Sequence, residues 1–458
     1  MTQYLVLVAM LLAIIVIRRS GLQAAFLYVF IPFFLAMPFG FWVHPGIPNT
    51  NFAQAALMPI VAALVFTRAA DLRVGRLELL LAIYIVIRVV CDYLGRGYKD
   101  AQNYTFFLLT MVVGPYLLGR YMITSRRMDI ATAKIFVLMF IFFFPMFLYE
   151  AKFWVSPIYQ VFSRFFPDAG SGLSLRWGIA RTAGTFEHPI LACIMIIVVY
   201  RLHRWLSWEG EWDRPQTGLL GWLQRQSQRI PIAFKSQIAI MLIVMAIMTI
   251  SRGPWIGGFA GAAVAAAGNF TNRKRALIII LSILAVAAIV GQVALTAYIT
   301  PEEGEVLSGE AQTMLYRKVM IDQYQALLMD KLWTGWGLTT VPKIKGMESV
   351  DNAFFLMALQ HGVLAPAVFA IIFLYAIGTQ LWFGLKAAPG QPPIGFTFAG
   401  IYVMCFIAFS TVYMGSQTEP MLFLLLGWGE SVKNRPAEDG VVGPIAAKSA
   451  PPFRRVMT

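Results

Sequence analysis

The sequence predicts an all-α, polytopic integral membrane helical bundle of about 12 transmembrane helices with a long folded loop on its outer side. Three observations predict it: the apolar mass of the chain, its division into repeated apolar runs, and basic residues in alternate connections. Of 458 residues, 59% are hydrophobic and 13% charged, with a mean hydropathy of +0.68. A soluble domain carries roughly 25% charged residues. Many runs approach the ~20 apolar residues that cross ~30 Å of hydrocarbon. Lipid leaves backbone polar groups no other partner, so such runs must be helical. No alternating ten-residue pattern points to a barrel.

The apolar segments fall at 3–17, 22–42, 54–67, 77–94, 104–120, 132–149, 189–201, 236–250, 255–269, 276–299, 353–383, 396–414 and 419–431. The first lacks a basic leader and a small-residue cleavage site, so a retained first span is expected. Basic loops hold Arg18 and Arg19, Arg68 to Arg76, Arg120 to Arg127, Arg201 to Lys235, Arg273 to Arg275, Lys386, and a tail with Lys433, Arg435, Arg454 and Arg455. The positive-inside rule places these in the cytoplasm. The neutral or mixed loops between them (43–53, 95–103, 150–188, 251–254, 300–352 and 415–418) then face outward. The expected blocks are N-terminal membrane helices 1–149, an outer loop 150–188, central helices 189–299 with an inner loop 202–235, a second outer loop 300–352, C-terminal helices 353–433, and a cytoplasmic tail 434–458. This puts the two long loops on the side away from the cytoplasm.

The net charge of +14 would raise nucleic acid as a partner for a soluble protein. Here topology accounts for it, and no nucleic acid is expected. Cys91, Cys193 and Cys405 lie in or beside apolar segments and imply neither a disulfide framework nor a zinc site. The inner loop 202–235 is rich in tryptophan and arginine, as an interfacial amphipathic helix against anionic lipid would be. Loops as long as 150–188 and 300–352 are usually functional, and their apolar content predicts folded surface structure.

Four outer features resist explanation as packing. In Arg181-Thr-Ala-Gly-Thr-Phe-Glu187-His188-Pro189, an arginine, a glutamate and a histidine gather where a long loop enters a span. Pro189 suits a first helical turn, and a helix N-terminus beside an arginine is an anion site. In Ser251-Arg252-Gly-Pro-Trp-Ile-Gly257, Gly253 and Pro254 are expected to turn the chain. Arg252 then sits near hydrocarbon depth, where an arginine is a functional candidate by default. Gly257, Gly258 and Gly261 suit close helix packing. In segment 310–328, Met314, Arg317, Ile321, Tyr324 and Leu328 share one helical face, which puts Arg317 on the apolar side. Finally, Gly335-Trp336-Gly337 precedes Asp351-Asn352 at the start of a span. Asp351 is either an N-cap or a carboxylate held at the mouth of the bundle. For Arg252 and Arg317, snorkelling to the interface is the plain alternative, and for the Arg181 stretch it is a capped helix start with an interfacial ion pair.

Arginines grip pyrophosphate through forked donors, and a carboxylate nearby can deprotonate a sugar hydroxyl. The set suits an enzyme that takes sugar from a lipid pyrophosphate. No acidic motif or His/Asp cluster with metal spacing appears in the outer loops, so neither metal nor cofactor is expected.

These stretches, in this order and with a large loop before the last, resemble the O-antigen ligase/polymerase family of bacterial envelope enzymes. The resemblance covers about residues 180–365. It implies roughly twelve membrane helices in the bacterial inner membrane and an inverting glycosyltransferase whose site faces the periplasm, using an undecaprenyl-pyrophosphate-linked oligosaccharide donor, with a glycan or lipid acceptor, among membrane lipids and other polysaccharide-assembly proteins. It assigns Arg181 and Arg252 to the pyrophosphate and Arg317 to support of the outer helix. The ligases carry a histidine where this chain has Asp351, a weaker base unless desolvated. That departure favours a repeat-unit polymerase over a ligase. His361 is expected to be a packing residue. The remaining alternatives are a lipid-linked oligosaccharide flippase, which should show internal repeats and midplane broken helices, and a non-enzymatic assembly subunit.

Overall fold

The computed structural model describes residues 2–43, 48–68, 73–123, 126–167, 174–299, 309–347, 349–388 and 393–434. The expected tail beyond Asn434, and residues 168–173 and 300–308 of the two long loops, lie outside the described residues. The helices are α1 (Leu7–Ser20), α2 (Leu22–Ala36), α3 (Phe52–Arg68), α4 (Arg76–Arg96), α5 (Tyr98–Met122), α6 (Arg126–Phe153) and α7 (Pro157–Phe162). They continue with α8 (Pro189–Trp208), α9 (Gly218–Ser227), α10 (Phe234–Met248), α11 (Arg252–Ala266), α12 (Arg273–Ile299) and α13 (Gly309–Asp330). The last four are α14 (Ala353–His361), α15 (Leu364–Lys386), α16 (Ile394–Thr411) and α17 (Thr418–Lys433). Two antiparallel ribbons interrupt them: β1 (Trp42–Val43) with β2 (Thr50–Asn51), and β3 (Ser174–Arg176) with β4 (Ile179–Arg181), Ser174 opposite Arg181.

Seven helices among the described residues are long and apolar enough to cross a membrane, and Leu22–Ala36, Phe52–Thr67 and Phe234–Met248 are apolar but shorter. Burial separates two kinds of helix. α17 is buried along Thr418–Val432, including Glu419 and Glu430, so it runs through the centre of the bundle. α12 is apolar all round, yet Val286, Ile289, Val290 and Val293 are each at least 60% exposed. A helix of that composition with its faces uncovered is solvated by lipid.

Small residues set the closest crossings, because a missing side chain lets backbones approach. A Cβ on Gly257 would lie 2.8 Å from the Met404 carbonyl oxygen, and Gly261 and Gly400 face each other across α11 and α16. Gly258 packs instead on Ile197 of α8. The packing expected of these three glycines is therefore present.

The turn expected at Gly253 and Pro254 lies earlier. Both residues are inside the first turn of α11, which starts at Arg252. A proline fits there because the first-turn N–H groups have no intrahelical partner. The chain reverses at Thr249–Ser251 instead, with Ile250 at φ +47°, a left-handed conformation that costs a β-branched residue strain.

Candidate functional site

Several connections converge on one cavity of about 1670 Å³. It is closed on one side by the β3–β4 hairpin and the starts of α8 and α11, and on the other by α13 and the approach to α14. α12 supplies a largely apolar wall of Ala287, Ala288, Gly291 and Leu295, with Gln292 and Thr296 among them.

The hairpin places two arginines. Trp177 and Gly178 both have positive φ, 54° and 73°, as a two-residue turn of the primed type requires. Arg176 flanks that turn opposite Ile179, and Arg181 lies two residues further along β4, opposite Ser174. Arg181 is 9% exposed. Its Nε donates to the Thr249 carbonyl at 3.0 Å, Nη1 to Ser174 Oγ at 3.2 Å and Nη2 to Ser251 Oγ at 2.9 Å. All three acceptors are neutral, so its orientation is fixed while its charge stays uncompensated. Burial, followed by repulsion from Arg176, lowers its pKa to about 10, which still leaves it charged at neutral pH. Arg176 donates to the strained Ile250 carbonyl at 3.1 Å. Glu150 fastens the following loop by accepting from the N–H groups of Ala183 at 3.0 Å and Gly184 at 2.7 Å.

Arg252 opens α11 with its guanidinium carbon 4.9 Å from the centre of the Trp177 ring, an attractive cation–ring geometry. His188 caps α8, its Nδ1 accepting from the Ile190 N–H at 3.2 Å. Burial first, and then Arg181, lowers its pKa to about 4, against an opposing effect of Asp351. The ring is therefore neutral near pH 7. With Nδ1 accepting, the proton sits on Nε2, so His188 is a donor and not a base in this geometry.

From the opposite side, Met314, Arg317, Ile321 and Tyr324 all line the cavity. The apolar face expected of this helix is thus a cavity wall, and Arg317 Nε has no hydrogen-bond partner. Asp351 also lines the cavity, its Oδ1 accepting from Ser349 Oγ at 3.2 Å. Its neighbour Asn352 takes the N-cap, with Oδ1 accepting from the Phe355 N–H at 3.0 Å and Nδ2 donating to the Ser410 carbonyl at 2.9 Å. The capping role open to Asp351 in the sequence therefore belongs to Asn352.

Of the eight residues singled out from sequence, Arg181, Arg252, Arg317, His188, Asp351 and Asn352 share the cavity. Glu187 and Trp336 do not line it. Glu187 is exposed and accepts from Ser416 Oγ at 3.4 Å. Trp336 belongs to a structural turn: its Nε1 donates to the Leu327 carbonyl at 2.9 Å, and its backbone N–H to the Leu359 carbonyl at 2.8 Å. Gly335 and Gly337, at φ +64° and +90°, give that turn a conformation other residues rarely adopt. His361, expected to pack, is fully buried, stacks on Tyr104 and shares a 3.0 Å hydrogen bond with its hydroxyl.

Sequence reasoning did not single out Arg176, Lys318 or Lys343, which also line the cavity. Arg176 had a signal in the Trp-Gly turn, which puts it on the same hairpin as Arg181. The two lysines had none. Among the described residues, six cationic side chains thus face one carboxylate, Asp351, in this cavity.

Residues 237–370 match the family described as O-Antigen ligase. This match, over just under a third of the chain, supports membership of the O-antigen ligase/polymerase family. The match takes in Arg252, Arg317, Trp336, Asp351 and Asn352. Arg176, Arg181 and His188 lie before it and join the site through the fold, and Glu187 also lies before it, outside the cavity. No curated protein matches the chain. The match and the seven long apolar helices point to a multi-pass membrane protein of glycosyltransferase-like type, and the matched family acts on lipid-linked oligosaccharides in general.

Proposed function

We propose that the cavity transfers glycan from an undecaprenyl-pyrophosphate donor to a growing glycan, as a repeat-unit polymerase of exopolysaccharide, capsule or O-antigen. The observation that carries this reading is that, among the described residues, one carboxylate, Asp351, shares a cavity with six cations and a largely apolar helical wall. Arg181 and Arg252, with Arg317, hold the pyrophosphate and offset the charge that develops as its bond to the anomeric carbon breaks. Asp351 takes the proton of the acceptor hydroxyl as that oxygen forms the new glycosidic bond from the opposite face. The configuration therefore inverts. Arginines supply the positive charge at the leaving group, so this reading is metal-independent. The apolar wall of α12 suits a polyprenyl chain entering from lipid.

The cavity lies on the periplasmic side in this reading, at the inner membrane, because the basic connections mark the other ends of the same helices. α8 leaves the cavity for the arginine-rich segment 201–235, and α11 leaves it for Arg273–Arg275. The shorter and more polar helices complete a bundle of about twelve spans. The description of the matched family favours a second reading, ligase transfer to lipid A-core or protein.

The test uses purified protein with lipid-linked repeat units. Laddered polymer supports the polymerase reading, and transfer to a lipid acceptor supports the ligase reading. Arg252→Ala, at normal protein level, should lower transfer by roughly 10²-fold or more. Unchanged product length and amount in that variant would remove the cavity from catalysis.

A further inference from the structure

α8 starts in the cavity wall at His188 and runs 20 residues to Trp208, about 30 Å at 1.5 Å per residue. Its far end therefore lies on the opposite side of the bundle. There it meets the start of α10, and a second cavity of about 370 Å³ opens between them. Arg204, Ser207, Trp208, Lys235, Ser236 and Ile240 line it, with no carboxylate among the lining residues.

Arg201 lies one turn before Arg204 on the same face of α8. It is 4% exposed, and its guanidinium stacks on Tyr200 and on Trp208, the indole that lines the cavity, with the carbon 5.6 Å from that ring's centre. Nε has no hydrogen-bond partner, and among the described residues no carboxylate pairs with the group. Acids in the next turn are already engaged. Glu211 binds Lys134 at 2.9 Å and also Arg214, and Asp213 binds Lys235 at 2.9 and 3.0 Å. An unpaired buried cation near a membrane face is costly, and an anion from outside the chain would relieve it. The surroundings place that anion at a lipid surface, since Trp222, Ile232 and Ile240 are 44–51% exposed beside the basic groups, the pattern of an interfacial segment.

We propose that this second cavity binds a phosphate group, delivered by an acidic phospholipid headgroup, with Arg204 at its rim beside Lys235, whose ammonium also holds Asp213, and with Arg201 behind Trp208. The site is independent of the glycan-transfer reading. The experiment follows thermal melting of the full-length protein in neutral detergent with phosphatidylglycerol, phosphatidylcholine or inorganic phosphate. Phosphatidylglycerol should raise the midpoint and phosphatidylcholine should not. The Arg204→Ala/Lys235→Ala double variant should need at least about tenfold more phosphatidylglycerol for the same rise. Arg201→Met, where it folds, should lose the response while melting no lower than the parent without lipid. A rise with inorganic phosphate equal to that with phosphatidylglycerol would uphold the phosphate chemistry and overturn the lipid source. An equal rise with phosphatidylcholine, or an undiminished response in the double variant, would overturn the proposal.

Discussion

Arg181 reaches from strand β4 to Ser251, the residue before α11, with its Nη2 2.9 Å from the serine hydroxyl. A second bond from Nε to the Thr249 carbonyl holds the same turn at 3.0 Å. Two loops far apart in sequence are thereby joined, and Arg252 follows directly on the clamped residue. The arginine works as a fork, with three donors spent on placement and others left for a ligand.

A lysine cannot reproduce that fork. Arg181→Lys should therefore lower glycan transfer by roughly 10²-fold with little loss of folded protein. Ser251→Ala removes one neutral acceptor and should cost about tenfold at most, the scale of a net hydrogen bond. Initial rates with a lipid-linked donor measure both. Equal, small losses would mean that the clamp merely packs the loop.

Asp351 and Asn352 are adjacent and have separable jobs. Asp351→Asn keeps the shape and removes the base, so transfer should fall by roughly 10²–10⁴-fold with melting unchanged. Asn352→Ala leaves the carboxylate and removes the cap of α14, which should cost about 1 kcal/mol of stability. Wild-type rates in Asp351→Asn would assign the base to another group.

The helical membrane class was legible because an apolar run in lipid has few alternatives to a helix. Arg181, Arg252, Arg317 and Asp351 converge for a related reason: a charge near hydrocarbon depth has to face a cavity. Trp336 misled because glycines around a tryptophan mark a demanding backbone as readily as a binding site, and here they let the turn hydrogen-bond to the end of α14. Lys318 and Lys343 were illegible because surface lysines have no distinguishing spacing. The position of the turn before α11 depended on Ile250 adopting a left-handed conformation, which no residue preference announces.

His188 supplies a pH dependence of stability. Its pKa falls from the usual 6.5 to about 4 in the folded protein, so the unfolded chain binds the proton more readily. The contribution is complete above about pH 6.5 and is lost as pH falls toward 4. His188→Asn, which retains a capping acceptor, should flatten the decline in melting temperature over that window. An identical decline in the variant would show that other groups drive it.

The bundle also contains a buried ion pair that sequence reasoning passed over, because Arg88 and Asp92 sit in a segment read only as a span. Arg88 Nη1 meets Glu419 Oε1 at 2.7 Å, both side chains at most 6% exposed, and also donates to the Tyr84 hydroxyl at 2.9 Å. One turn on, Asp92 accepts from the Leu338 N–H at 3.0 Å, so the same helix holds both the core pair and the turn after Trp336. Arg88→Met leaves Glu419 buried without its partner and should destabilise by about 3–5 kcal/mol. Arg88→Met combined with Glu419→Gln should recover much of that loss, since the uncompensated charge is gone. Melting of the two variants in one detergent decides it. If the double variant is no more stable than the single, the pair acts through its geometry and not through its charge.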